Sequence, residues 1–330
     1  MKNCSSLTLS FFCLCSIAWA APREKAVKDP SVAAKDPDFA IQGEYAESSK
    51  IGREGEKGRY GLQVVALGDG KFQAALYAGG LPGSGAESNE FVFLNGETKG
   101  NATTLKAKSG ETVVITGDKA TATKGKRKLF TYDRVERKSP TLGKKAPTGA
   151  KVLFGGIEMD RFSGGVKLDG ELLEEGVVSL DSFGDFTLHL EFRTPYKPKT
   201  KPGSQDRGNS GVYIFNNYET QILDSFGIKG EFNFCGALYR KKPPAVNMCL
   251  PPLSWQTYDI QFTAPRFKEG KKITNARITT RHNGVVIHDD FELDKGTGAG
   301  GGRPEKEKGQ IHLQGHGNPV RFKNIWLIEK

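Results

Sequence analysis

Beyond its first twenty residues the chain has no apolar run near the ~18 residues needed to cross a bilayer, so no transmembrane segment is expected in the mature protein. No recognised nucleic-acid motif is present either, which argues against nucleic acid as a partner despite a formal net charge of +10. Cysteine is scarce, with five in 330 residues, and three of these, Cys4, Cys13 and Cys15, fall within the N-terminal stretch. That stretch has Lys2, an apolar run from Leu7 to Ile17 and then Ala18-Trp19-Ala20, the layout of a secretory signal with cleavage expected after Ala20. Neither Cys13 nor Cys15 follows the small residues that a lipoprotein anchor needs. The expected location is therefore secreted or periplasmic, and cleavage leaves Cys235 and Cys249. An even thiol count in an exported chain reads as a disulfide, which would close a loop of about 15 residues and contribute roughly 3 kcal/mol. The other reading is two unpaired buried thiols.

What is abundant points to β structure. There are 41 glycines, and 37% hydrophobic with 10% aromatic residues is enough for packed cores in a chain long enough for two domains. Residues 21–38, with Pro22, Pro30 and Pro37 among alternating charges, read as a flexible leader. Residues 39–138 read as a small all-β domain, with runs at Leu62–Leu67 and Phe72–Tyr77 flanking the turn Gly68-Asp69-Gly70. Further strands are expected at Glu90–Leu94, Thr112–Thr116 and Leu129–Val135. No catalytic constellation is visible there. Residues 139–150 read as a linker. Residues 21–150 hold 22 basic and 16 acidic side chains, against 25 and 22 in residues 151–330. The more basic N-terminal domain either contacts a cell surface or an acidic polysaccharide, or serves as a spacer with a solvated loop at Lys124–Lys128.

The second half carries the chemistry. Phe186, Leu188, Leu190 and Phe192 alternate with Thr187, His189, Glu191 and Arg193, a strand whose polar face either meets water or lines a groove. Tyr196–Gln205 reads as a mobile loop. From Arg207 to Gly227 two strands, Val212–Phe215 and Tyr218–Leu223, are joined by Asn216-Asn217, a pair that tolerates positive φ. Alternation sets Glu219 beside Gln221 on one face, and Asp224 can join them only through a bulge. Later strands are expected at Trp255–Phe262, Ala276–Arg281, Gly284–His288, Gln310–Gln314 and Val320–Ile328, with Thr297–Gly302 and Lys306–Lys308 disordered.

Asn209-Ser210-Gly211-Val212 followed by Glu219-Thr220-Gln221-Ile222-Leu223-Asp224 resembles the signature of the 3-keto-disaccharide hydrolase family. Phe183-Gly184-Asp185-Phe186 with Leu190-Glu191-Phe192-Arg193, then Gly236-Ala237-Leu238-Tyr239, and Leu313-Gln314-Gly315-His316-Gly317-Asn318-Pro319-Val320 agree, in the family's order, over residues 151–330. Phe154-Gly155-Gly156 departs from the family's Phe-Asp-Gly, so nothing functional is transferred there. The resemblance implies a concanavalin A-like jelly-roll β-sandwich with the ligand on its concave sheet, and a carbohydrate substrate oxidised at the sugar's third carbon.

The laminarinase-like glycosidases of this fold place acids as Glu-x-Asp-x-x-Glu, whereas this chain has Glu219, Gln221 and Asp224, which argues against ordinary double displacement. A ketone at C3 makes the C2 hydrogen acidic, and the resemblance implies elimination followed by hydration. On that route Glu219 or His316 is the base, Arg193 the enolate stabiliser, and Tyr239 or the other member of the first pair the acid. Asp224 completes the catalytic candidates. Asn209, Gln221, Gln314 and Glu191 are candidates for sugar hydroxyls and Trp255 for ring stacking. Glu219, Asp224 and His316 could together hold a divalent metal ion. A noncatalytic carbohydrate-binding module on the same scaffold is the alternative.

Overall fold

A computed structural model describes residues 23–48, 60–86 and 88–330. The expected signal segment, with its three cysteines, lies outside the described residues. The N-terminal body is a closed antiparallel barrel of eight strands: β1 (Gly43–Glu47), β2 (Tyr60–Gly68), β3 (Lys71–Ala78), β4 (Val92–Lys99), β5 (Ala102–Ala107), β6 (Glu111–Thr116), β7 (Lys119–Lys124) and β8 (Arg127–Val135), with β1 pairing back onto β8. Period-two alternation turns Leu62, Val64 and Ala66 of β2, and Phe72, Ala74 and Leu76 of β3, into a filled interior. Two of the basic side chains behind the expected surface contact, Lys119 and Lys124, lie against Asp133 and Glu111 on neighbouring strands.

The leader is folded, contrary to expectation. Pro30–Ala33 and Pro37–Ile41 are short helices, each with proline in the first turn and an aspartate N-cap, Asp29 and Asp36, accepting from a helix amide. The proline and aspartate content that suggested flexibility is what starts these helices. Val27 exchanges backbone hydrogen bonds with Tyr196 (3.0 and 2.8 Å), whose hydroxyl donates to Asp36 (3.0 Å). The expected mobile loop at 196–205 is held by the same seam, with Tyr196 and Lys197 buried and Thr200 donating to Glu24 (2.6 Å). Val65, on the outside of β2, joins the core of the second body. No helix among the described residues is long and apolar enough to cross a membrane.

The second body is the expected jelly-roll sandwich. One sheet has five strands in the order Phe162–Ser163, Val177–Ser179, Ile311–Leu313, Ser210–Ile214 and Tyr218–Ile222. The larger sheet runs Leu168–Asp169, Leu172–Glu174, Arg321–Glu329, Phe186–Arg193, Gln256–Thr263, Ala276–His282 and Val285–Leu293, with Lys151–Phe154 also pairing with Arg321–Glu329. Both sheets turn their apolar residues toward one core, Leu188, Leu190 and Phe192 from the larger, Val212, Ile214 and Leu313 from the smaller. Cys235 and Cys249 lie in this core as free thiols, so the expected disulfide is not formed. They behave as small buried hydrophobes whose weak polar contacts are met locally, Cys235 Sγ by the Tyr258 hydroxyl (3.3 Å) and Cys249 Sγ by the Leu223 carbonyl (3.5 Å).

Candidate active site

The hairpin at the edge of the five-stranded sheet pairs Tyr213 with Glu219 and Gly211 with Gln221, with no break in register. Phe215 and Asn216, rather than Asn216 and Asn217, take the positive φ of the turn (59° each). Val212, Ile214, Tyr218 and Ile222 face the core. Strict alternation then leaves Gly211, Tyr213, Glu219 and Gln221 on the opposite face, where His312 joins them from the next strand through its pairing with Tyr213.

Glu219 is the most altered of the sequence candidates in this group. Burial lifts its carboxyl to about 7, and the Tyr213 hydroxyl works against that shift. Its side chain is 2% exposed and Oε2 has no hydrogen-bond partner, nor does the buried Oε1 of Gln314. A methyl group on Gly211 would sit 2.5 Å from Glu219 Oε1 and 3.2 Å from Gln314 Oε1, so a bare backbone is what leaves both oxygens room. Gln221 Nε2 donates to Gln205 Oε1 (3.0 Å) and Asn209 Oδ1 (3.2 Å); turned over, the same amide would reach Ser210 O (2.7 Å) and Glu219 Oε1 (3.1 Å) instead. Gln221 and Gln314 lie beside Glu219, Asn209 connects to it through Gln221, and Gln205, not among the sequence candidates, joins them.

Two further segments flank the outer edge of this hairpin. The Tyr239 amide donates to Glu219 O (3.1 Å), and Gly298 lies so close to the Tyr239 ring that a Cβ there would be 2.5 Å from Cδ1. Thr297 is buried and its hydroxyl accepts from the Glu219 amide (2.7 Å). The glycine-rich stretch expected to be disordered is thus a short 3-10 turn, Gly298–Gly302, packed beside the site. Burial pushes the Tyr213 phenol well above its ordinary range, with the charge of Glu219 adding to it. His312 stacks on Tyr213 (5.8 Å, 26°), and burial, with Arg303 nearby, lowers its pKa and favours neutral imidazole. Neither His312 nor Arg303 stood out in the sequence; the alternation Ile311-His312-Leu313-Gln314 was the available signal for the first.

Other candidates fall elsewhere. Asp224 lies past the end of its strand, and its carboxylate binds Arg207 Nε (2.7 Å), with both side chains 1% exposed. With no bulge to rotate it, Asp224 cannot share Glu219's face. His316 is exposed on the loop leaving Gln314. The trio suggested for a metal is not assembled, and no group of three or more His, Cys, Asp or Glu among the described residues is arranged to hold one.

Arg193 and Glu191, on the larger sheet, and Trp255, just before its strand Gln256–Thr263, lie away from the shared core, on the opposite side of the sandwich from Glu219. Arg193 donates to Lys28 O (3.0 Å) and lies over Trp255 (5.0 Å), which Lys323 also approaches (4.2 Å). The polar face expected to line a groove is instead covered by the linker. Thr141 donates to Asp259 (2.7 Å), the Gly143 amide to Glu191 (2.6 Å), and Trp326 to Lys144 O (3.1 Å). His189 sits beneath, 2.8 Å from Asp259 and at an ion-pair distance of 3.7 Å from Glu191. Burial opposes its charge, but these two carboxylates outweigh it and raise its pKa. Glu191 is pushed up by burial but brought down to about 2 by His189, Asn324 and the Gly143 amide.

The family model for the 3-keto-alpha-glucoside-1,2-lyase-like domain matches residues 149–328. Among solved structures, a candidate glycosyl hydrolase from Parabacteroides distasonis ATCC 8503 aligns with 30% identity and a TM-score of 0.51, over 56% of this chain and 86% of that one. A second from the same organism aligns with 22% identity and a TM-score of 0.36, over 55% of this chain and 99% of its own. No curated protein matches. The match covers the whole sandwich, with the hairpin that carries Glu219, and the chain belongs to the 3-keto-alpha-glucoside-1,2-lyase-like domain family.

Proposed function

We propose that this protein cleaves glycosidic bonds of 3-keto-glycosides after export, with Glu219 as the proton-transferring group. The observation that carries the reading is the pair of unpartnered buried oxygens, Glu219 Oε2 and Gln314 Oε1, on two side chains that both crowd the bare backbone of Gly211. Buried polar atoms are nearly always satisfied, so an orphaned pair beside a carboxyl with a pKa of about 7 suits a ligand rich in hydroxyl groups. The family's name and the glycosyl hydrolase description of the Parabacteroides neighbour direct the reading to the glycosidic bond.

In the proposed reaction Glu219 takes the C2 proton, and the electron pair passes into C2–C3 and onto the ketone oxygen as an enolate. Collapse of the enolate forms C1=C2 and breaks the bond from C1 to the leaving oxygen, which receives a proton from a neighbouring phenol, Tyr213 or Tyr239. Water then adds across C1=C2, its hydroxyl to C1 and a proton to C2, giving net hydrolysis. A base with a pKa near the working pH is suited to this step. Arg303, whose charge acts on both Tyr213 and His312, takes the role first expected of Arg193. Asn209, Gln221 and Gln314 hydrogen-bond the sugar hydroxyls.

The test is turnover of 3-keto-trehalose and 3-keto-sucrose by wild type and Glu219→Gln. The reading expects cleavage by the wild type and its loss in the variant. Binding of both sugars without cleavage would instead favour the carbohydrate-binding module.

A further inference from the structure

Glu219 stands at one end of a single row of side chains that crosses the whole five-stranded sheet. The pairings are Glu219 with Tyr213, Tyr213 with His312, His312 with Val178, and Val178 with Ser163. Residues in register across an antiparallel sheet share a face, and four steps at about 4.8 Å make the row on the order of 19 Å long. That is long enough for a sugar ring and a second group beyond it.

Exposure rises along the row. Glu219 is 2% exposed and Tyr213 5%, His312 and Val178 are half-buried, and Ser163 is exposed. At the Glu219 end Tyr239 and Thr297 flank the sheet edge through bonds to the Glu219 main chain, and beyond His312 the face is open. Leu180 follows Val178 on the same face, because Val177 and Ser179 point inward and the Leu180 amide still pairs with Arg161 O (2.8 Å). It is 56% exposed, and Met159, whose carbonyl accepts from the Phe162 amide, is 42% exposed.

We propose that the open half of this row, His312 and Val178, with Leu180 two residues along the strand from Val178, is the subsite for the leaving group, and that it takes an aglycone with a flat apolar or aromatic face. The inference rests on the reading of Glu219 as the reacting end, since the occupant is argued from the continuity of the row with that site. The sugar takes the Glu219 end. The group attached at C1 then lies over the His312 ring and Val178 and ends against Leu180. Beyond Glu219 the row carries no acidic side chain, and a stacked imidazole beside two aliphatic side chains offers ring contact rather than hydrogen bonds to a second sugar.

The test compares phenyl and methyl glucosides, both as their 3-keto derivatives in turnover assays and unoxidised in equilibrium titrations with the whole protein. Burying one face of a phenyl ring at about 25 cal/mol per Å² corresponds to a preference for phenyl over methyl on the order of tenfold. The wild type is expected to show it in KM and in Kd. Leu180→Asp and Val178→Asp should shrink the ratio to about twofold or less, while Leu180→Met preserves it, by the same reasoning. Leu180 is exposed enough for these changes to leave the fold intact. If neither 3-keto glucoside is turned over, the proposed reaction fails, while the affinity ratio still reads the subsite. Equal affinity for the two aglycones, no binding of either, or a preference unchanged in both aspartate variants would overturn the subsite.

Discussion

Glu219 and Tyr213 are direct cross-strand partners, and the tyrosine hydroxyl is the polar group that opposes the effect of burial on the glutamate. If Glu219 is the base, activity should rise with pH through about 7, where its carboxyl loses its proton. Tyr213→Phe removes the opposing group and should move that rise to higher pH. A pH–rate profile for the two proteins checks this; an unshifted rise would separate Glu219 from the rate.

The same carboxyl makes a prediction about stability. Its folded pKa of about 7 exceeds the ordinary 4.5, so the folded state holds this proton more tightly than the unfolded state. The resulting cost is absent below about 4.5, grows as pH rises, and is complete above about 7. Glu219→Gln should therefore be stabilised relative to wild type at pH 8, by up to roughly 3 kcal/mol, and be nearly unchanged at pH 4. Denaturant unfolding at the two pH values measures the difference.

Gly211→Ala tests the space beside the Glu219 and Gln314 side chains. Its methyl would lie 2.5 Å from Glu219 Oε1, too close for the carboxyl to remain where it is. Activity should fall by about tenfold or more, the size of effect expected when a catalytic group is displaced by roughly an ångström, while thermal stability changes modestly. Full activity in a folded Gly211→Ala protein would contradict the placement of Glu219.

Asp224 is predicted to be structural. Removing one partner of a fully buried ion pair costs about 3–5 kcal/mol because the other charge is left uncompensated. Asp224→Asn should lose stability on that scale, while the protein that remains folded keeps its rate per molecule. A collapse in rate without loss of stability would return Asp224 to the catalytic group.

His189 ties the linker to the larger sheet. Its folded pKa lies above 6.5, so the stability it contributes is fully present below 6.5 and is lost as pH rises through the folded value. His189→Gln should therefore destabilise the protein more at pH 6 than at pH 9. Limited proteolysis within residues 139–150 should quicken in the variant at the lower pH.

The sandwich was legible because its strands carry strong patterns. Phe186 to Arg193 alternates without a fault, and the runs on either side of Asn216 are rich in β-branched and aromatic residues. Barrel strands β5 and β7, Ala-Thr-Thr-Leu-Lys-Ala and Lys-Ala-Thr-Ala-Thr-Lys, were missed because small residues, threonine and lysine give little apolar signal in a narrow barrel. The structure brings Glu219, Gln221, Asn209, Gln314 and Tyr239 together, since one hairpin and its immediate neighbours carry them. Arg193, Glu191 and Trp255 were misplaced because alternation marks a polar face without telling which sheet bears it or what covers it. Here the cover is the linker, whose polar groups answer those of His189, Glu191 and Asp259.

The most direct measurement is deuterium incorporation at C2 when a 3-keto-glucoside is incubated with the protein in D₂O and followed by NMR. The account predicts enzyme-dependent exchange or labelled product with the wild type and neither with Glu219→Gln. Cleavage by the wild type that leaves the C2 hydrogen in place, or exchange that persists in the variant, would contradict it.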